Sequence, residues 1–263
     1  MGIFNSNLII RRYFVKVKPD TPNFRIALVS DLHSCKYGEN MSELIDNIES
    51  EKPDIVAMAG DIFDRFLPDE NSFTFLKRIS EKYPCYFVTG NHEYSHGEDY
   101  FNEMTDFLSE NGIKRLSTDI ETLEKGGKFI NICGIDDPNF YKDFCEAREP
   151  TYYGFYKQLN ELTEKINNEY FTVLLSHRPE KFEDYVSRKY DLVLCGHSHG
   201  GQFRIPYVIN GLFAPHQGLF PRYAGGEYKK DGTTMIVSRG LARETTRVPR
   251  IFNRPELVII QCC

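Results

Sequence analysis

At 263 residues, with 41% hydrophobic and 27% charged side chains, the chain has the composition of a globular protein able to bury a large core, and the expectation is an α/β fold. Its formal charge of −6 excludes a general attraction to nucleic acid, so an anionic partner has to be drawn in locally by metal ions or clustered arginines. Seven scattered cysteines without a C-x-x-C pair exclude a disulfide framework and a structural zinc site, and no apolar run approaches the roughly 18 residues of a transmembrane helix.

The first eight residues lack the basic segment and long apolar core of a signal peptide, which with the cysteine usage predicts a cytoplasmic protein. Residues 8–18 read as an edge strand with Tyr13, Val15 and Val17 on one face, ended by the prolines at 19 and 22. A rival reading makes Arg11, Arg12, Lys16 and Lys18 a membrane-surface patch, hence a peripheral membrane contact. Residues 1–23 are thus an edge strand and connector, and 24–263 a single domain.

An apolar run at 24–30 leads directly into Asp31-Leu32-His33. Met41, Leu44, Ile45 and Ile48 then repeat at helical spacing, and Pro53 closes that helix. A second run at 54–59 leads into Gly60-Asp61-Ile62-Phe63-Asp64; a helix marked by Phe73, Leu76 and Ile79 follows, and a third run at 85–89 ends in Gly90-Asn91-His92-Glu93. Asp31 to Asp61 and Asp61 to Asn91 are each 30 residues, about one βαβ unit, so the sheet is expected to begin parallel with these polar ends along one edge.

Tyr100, Met104, Phe107 and Leu108 mark another helix stopped at Asn111-Gly112, and residues 128–133 a strand ending in Gly134-Ile135-Asp136-Asp137-Pro138. Residues 141–153 read as a loop before a helix marked by Phe155, Leu159, Leu162 and Ile166. A strand at 171–176 ends in His177-Arg178-Pro179, Phe182, Tyr185 and Val186 mark a short helix, and the run 192–195 ends in Gly196-His197-Ser198-His199. If the chain stays extended there, residues two apart share a face, and both imidazoles approach one site or two adjacent ones. Residues 202–226 are rich in Gly, Pro and aromatics, and 233–238 and 257–260 read as closing strands, plausibly antiparallel.

Alone, an H-x-H reads equally well as a surface loop. Here five apolar runs end in metal-capable residues, and five of the seven histidines fall at those ends. In open α/β sheets ligands bind beyond the carboxyl ends of the strands, so the conjunction predicts a metal site. The donors are oxygen and imidazole nitrogen, a set that suits Mn, Fe or Zn, with Mg as a further option.

These blocks resemble the calcineurin-like metallophosphoesterase family, whose pattern is D-x-H, G-D-x-x-D, G-N-H-[D/E], H and G-H-x-H, present here in that order from residue 24 onward. The resemblance implies a four-layer α/β-β/α sandwich and a phosphoesterase using two divalent metal ions, Mn foremost. It implies that Asp31, His33, Asp61 and His199 hold one ion, that Asn91, His177 and His197 hold the other, and that Asp61 bridges both. A carboxylate can bridge cations about 3.5 to 4 Å apart, and such a pair yields a hydroxide for in-line attack on phosphorus.

The resemblance makes His92 the group that stabilises the transition state or protonates the leaving oxygen. Asp64 would orient it; the alternative is a helix N-terminal acid. Arg65, Arg178, Arg239 and Arg243 flank motif or strand ends, where a guanidinium could bind a phosphate oxygen, although surface pairing serves each equally well. The segment 203–223 is apolar for a loop, either packing on the sheet edge or walling a lipid-like or aromatic substrate.

Gly200-Gly201-Gln202, Ser238-Arg239-Gly240 and Phe252-Asn253-Arg254-Pro255-Glu256 look like a bacterial phosphodiesterase-like branch, implying cleavage of a phosphodiester or pyrophosphate in a small molecule or lipid-like ester. The rival readings are a phosphomonoesterase, including a protein phosphatase, and a metal-free scaffold, which should have lost ligands where this sequence keeps them all.

Overall fold

The structure, a computed structural model, describes residues 6–140, 151–167, 169–205, 208–243 and 250–263. In chain order its strands are β1 (Ile9–Val15), β2 (Phe24–Val29), β3 (Ile55–Ala59), β4 (Cys85–Val88), β5 (Lys114–Arg115), β6 (Ile120–Lys125), β7 (Lys128–Gly134), β8 (Phe171–Leu175), β9 (Leu192–Cys195), β10 (Phe213–Ala214), β11 (Gly218–Leu219), β12 (Gly226–Lys230), β13 (Thr233–Val237) and β14 (Glu256–Cys262). The helices are α1 (Ser42–Glu51), α2 (Glu70–Ser80), α3 (Glu98–Glu110), α4 (Thr151–Lys165) and α5 (Phe182–Ser187).

Two six-stranded sheets form, in the orders β1-β14-β2-β3-β4-β5 and β12-β13-β9-β8-β7-β6. Period-two alternation along the strands explains their stacking. Ile26 and Leu28 of β2, Ile55 and Ala57 of β3, Val173 and Leu175 of β8, and Leu192 and Leu194 of β9 meet in one core between the sheets. Ala27, Val29, Val56 and Met58 point the other way, onto the apolar stripes of α1, α2 and α3. Leu174 and Val193 do the same for α4 and α5 on the far side. The layers are therefore α/β-β/α, the sandwich implied by the resemblance.

The pairings β2–β3–β4 and β7–β8–β9–β13 are parallel. Parallel strands gather their carboxyl ends, so the loops after β2, β3, β4, β8 and β9 face one crevice. The closing strands are only partly antiparallel: β13 is parallel to β9 and antiparallel to β12, and β14 is antiparallel to β2 but parallel to β1.

Other departures from the sequence reading are local. Residues 151–153, read as loop, are the first turn of α4; the preceding ten lie outside the described residues. Of the four cations at the N-terminal strand, Arg11 faces Glu256, Arg12 pairs with Glu51 and Lys18 with Asp191. No helix among the described residues is long and apolar enough to cross a membrane. Six cysteines are described, and no disulfide joins any two of them.

Candidate metal centre

The loop after β2 carries Asp31 and His33, and the loop after β3 carries Asp61, all with left-handed backbone (φ 50°, 49° and 52°). His197 and His199 are left-handed too, at 69° and 45°, so the H-x-H is a tight turn rather than extended chain. Each such non-glycine residue costs about 1–2 kcal/mol, and the surrounding bonds hold the conformation. The amides of Asp31, His33 and Ser34 donate to the carbonyls of Gly60, Asp61 and Ile62 at 3.0, 3.0 and 3.1 Å, lacing the first two loops together. Glycine lets the remaining loops close in: a Cβ on Gly196 would fall 1.7 Å from Ser30 Oγ, and one on Gly90 would fall 2.2 Å from Asp61 Oδ1.

Two clusters result. Ligand-capable atoms of Asp31, His33, Asp61 and His199 lie within 4.8 Å of one another, as do those of Asp61, His177 and His197. Asp61 belongs to both: its Oδ2 is 3.6 Å from His33 Nε2 and 3.2 Å from His177 Nε2. In the first cluster His199 Nε2 is 3.6 Å from Asp31 Oδ1. In the second, His197 Nδ1 is 3.0 Å from His177 Nε2. Asn91, at the end of β4, has a buried Oδ1 without a hydrogen-bond partner.

Hydrogen bonds assign the ring protons. His177 Nδ1 lies 2.7 Å from the Ala59 carbonyl and His33 Nδ1 2.8 Å from Asp64 Oδ2, so both Nδ1 atoms donate outward and both Nε2 lone pairs face Asp61. Lone pairs facing a carboxylate repel unless a cation or proton stands between them, and His33 Nε2, Asn91 Oδ1 and His199 Nδ1 are all buried and unpartnered. The donor set therefore fits divalent cations.

The charges agree. Burial pulls the His177 imidazole down, but Asp61 more than offsets this and pushes it up to about 10, which marks this position as one that favours positive charge. Burial would raise the Asp61 carboxyl, yet His177, His92 and His33 hold it well below the usual range. Burial drives His197 and His199 well below the usual imidazole value, helped by Arg178 and His33 respectively, which leaves both rings neutral with lone pairs to offer.

The remaining sequence candidates have definite places. Asp64 accepts the amides of Phe66 and Leu67 at 2.8 and 3.0 Å, and its nearest imidazole is His33 rather than His92, whose Nδ1 is 3.3 Å away. The Asp64 to His33 bond fills the third acid and imidazole group of the region, His33, Asp64 and His92. His92 is 23% exposed at the rim, its ring edge against His33 with centroids 4.4 Å apart, and its amide donates to Asp61 Oδ1 at 2.9 Å.

Arg178 is buried, clamped by Asp137 through Nε and Nη2. Arg239 lies against the buried Glu256, and Arg243 bonds Glu43 while stacking on Tyr37. Arg65 is exposed beside His92, with its amide 3.2 Å from His92 Nδ1.

Three participants escaped the sequence reading. Glu93 is fully buried and accepts the amides of Asp61, Ile62, Phe63 and Gly90 at 3.1, 2.8, 3.3 and 2.7 Å. Burial and the Asp61 charge push its carboxyl up to about 7, against those four donors. Its place in G-N-H-E was the available signal. Glu93→Ala is expected to lower stability by about 3 kcal/mol, read as a shifted urea midpoint, because buried amides lose their acceptor; an unchanged midpoint would remove Glu93 from this role.

Arg250 is 8% exposed, and no guanidinium nitrogen has a hydrogen-bond partner among the described residues, although it feels the Asp31 charge and helps to lower His199. Ile251, next to it, bridges to Phe203, and Asn253 Nδ2 donates to the His199 carbonyl at 2.6 Å. His216 is the third, reaching His197 from the β10/β11 hairpin. Nothing in periodicity or spacing marks either residue.

The sequence profile of the calcineurin-like phosphoesterase family matches residues 24–201, more than half of the chain. The chain belongs to this family. Among similar proteins, a Helicobacter pylori metallophosphoesterase is 29% identical over 82% of this chain and 54% of its own length. A Bacillus subtilis metallophosphoesterase, YkoQ, is 28% identical over 92% of this chain and 85% of its own. The chain thus spans about half the length of the Helicobacter relative and most of the Bacillus one. Among solved structures, a Thermus thermophilus protein aligns with a TM-score of 0.56 at 13% identity, covering 84% of this chain and 92% of that one. A phosphopantetheinyl hydrolase from Mycobacterium tuberculosis aligns with a TM-score of 0.51 at 12% identity, covering 90% and 94%. At those identities the likeness is one of fold.

Proposed function

We propose that the chain is a metal-dependent phosphodiesterase or pyrophosphohydrolase working with two divalent cations, Mn foremost, with Fe, Zn or Mg as alternatives. The observation that carries this reading is Asp61, whose carboxylate belongs to both clusters. Asp31, His33, Asp61 and His199 would hold one cation, and Asn91, His177 and His197, with Asp61, the other. Bound there, the cations would supply Lewis acidity toward a phosphoryl group and a nucleophilic water near neutral pH.

The protein's own groups do the rest. Asp64 and the Ala59 carbonyl fix the tautomers of His33 and His177. His92, engaged on its Nδ1 side, has Nε2 left for the leaving oxygen, where it delivers a proton. Arg65 at the rim and the buried Arg250, which has no hydrogen-bond partner among the described residues and is within electrostatic reach of Asp31 and His199, favour an anionic substrate.

Two features favour a diester over a monoester. Arg178, Arg239 and Arg243 face carboxylates, which leaves few free cations for a dianion. Phe213, Leu219 and Phe220 are 47%, 67% and 65% exposed around the hairpin that reaches His197, a rim suited to an apolar ester substituent. Metal-stripped protein given Mn²⁺ is expected to hydrolyse bis-p-nitrophenyl phosphate faster than p-nitrophenyl phosphate. The reverse order would select the phosphomonoesterase reading, and no Mn-dependent turnover of either would sink the proposal.

A further inference from the structure

The hairpin formed by β10 and β11 carries His216 at its tip, outside the motifs that supply the two clusters. His216 Nδ1 lies 2.9 Å from His197 Nε2, and the rings are 5.0 Å apart at 32°. The same Nδ1 is 2.6 Å from Arg178 Nη1, which is itself 2.9 Å from His197 Nε2. We propose that His216 is the positioning residue that fixes the tautomer of His197, so that His197 Nδ1 presents its lone pair to the cluster with Asp61 and His177. This rests on the ligand assignment proposed above and adds a residue to it.

The argument is one of donors and acceptors. An imidazole that offers a lone pair through one nitrogen carries its proton on the other, and that N–H needs an acceptor. His177 has the Ala59 carbonyl and His33 has Asp64. For His197 Nε2 the near neighbours are Arg178 and His216, and a guanidinium cannot accept. Among the described residues, His216 Nδ1 is therefore the acceptor for a proton on His197 Nε2, and its single lone pair is used there. Arg178 Nη1, 2.9 Å from the same Nε2, is the competing donor, whose bond to it would move the His197 proton to Nδ1 and away from ligation. Asp137 locks the guanidinium, so Asp137, Arg178 and His216 form one assembly behind the ring. Glu180, His197 and His216 also have the composition of a cation site, but the Arg178 guanidinium already supplies the positive charge there.

The hairpin is built to hold this contact. Gln217 Nε2 donates to Ser198 Oγ at 3.2 Å and to the Tyr223 carbonyl at 3.1 Å, and Gln217 Oε1 accepts the Tyr223 amide at 2.9 Å. Consecutive hairpin residues thus dock on consecutive residues of the H-x-H turn. His216 itself is left-handed at φ 57°, a conformation that a free loop would relax. Occupancy of the second metal position thereby depends on a loop whose flanks are exposed and apolar.

Calorimetric titration of the metal-stripped protein with Mn²⁺ tests the assignment. His216→Leu is expected to weaken one of two binding events by about 10- to 100-fold and leave the other unchanged. His216→Asn, whose Oδ1 can stand where Nδ1 stands, is expected to restore most of that loss, and His216→Gln, whose acceptor lies further out, is not. Wild-type binding of both ions by His216→Leu, or equal weakening in the Asn and Leu variants, would overturn the inference. His197→Ala keeps the two failures apart: loss of one ion there upholds the ligand reading whatever His216 does. Retention of both ions by His197→Ala would overturn that reading and this inference with it.

Discussion

Asp61→Asn is expected to abolish Mn-dependent hydrolysis of bis-p-nitrophenyl phosphate and to cut Mn²⁺ binding below two ions per chain. One oxygen of Asp61 lies 3.2 Å from His177 Nε2 and 3.6 Å from His33 Nε2, so one carboxylate serves both clusters. The amide is neutral and places either an NH₂ or a weaker oxygen donor at that point. Changing a group that only orients a ligand typically costs 10- to 100-fold, so loss of the shared ligand should exceed about 100-fold. The backbone is not expected to move, because the Asp61 loop is clamped independently by Glu93. Turnover within a few-fold of wild type, with two ions still bound, would sink the dinuclear reading.

His92→Ala should separate chemistry from metal binding. The ring sits at the rim, edge-on to His33, but the hydrogen bond from this residue to the cluster runs from the backbone amide to Asp61 Oδ1, which alanine keeps. Two Mn²⁺ ions should still bind while kcat falls by about 10²- to 10⁴-fold, the range for a lost general acid, with a much smaller change in KM. Loss of either ion in this variant would refute the assigned role.

Much of this was legible because parallel strands buried on both faces are short unbroken apolar runs, and because a residue that follows such a run is placed at the strand's carboxyl end by topology alone. Asp31, Asp61, Asn91, His177 and His197 each follow one. Besides the two-residue strands β10 and β11, the strands that escaped notice, β5, β6 and β12, lie at the edges of the two large sheets. Lys114–Arg115, Ile120–Lys125 and Gly226–Lys230 are half wet, so charge replaces the apolar pattern that marks an interior strand.

At the site, residue types were readable but conformation was not. An extended H-x-H would put both rings on one face, whereas left-handed φ at His197 and His199 turns them into different clusters. The arginines show the limit of adjacency: Arg178, next to His177, is clamped by Asp137, while Arg250, beyond every motif, is buried without a hydrogen-bond partner among the described residues. Side chains that approach from a distant hairpin, as His216 does, leave no mark in local spacing.

The position of β14 has a consequence for synthesis. It lies between β1 and β2, pairing Ile9–Val15 on one side and Phe24–Val29 on the other, yet it is translated more than 200 residues after β2. A nascent chain therefore carries β2, and the Asp31-Leu32-His33 loop behind it, with one unpaired edge until residues 256–262 leave the ribosome. Such an edge invites pairing with another chain, and a closure of that sequence separation is intrinsically slow. β1 pairs only with β14 among the described strands, so the charged pairs that β1 brings, Arg12 with Glu51 and Arg11 with Glu256, wait for that late strand to slot in.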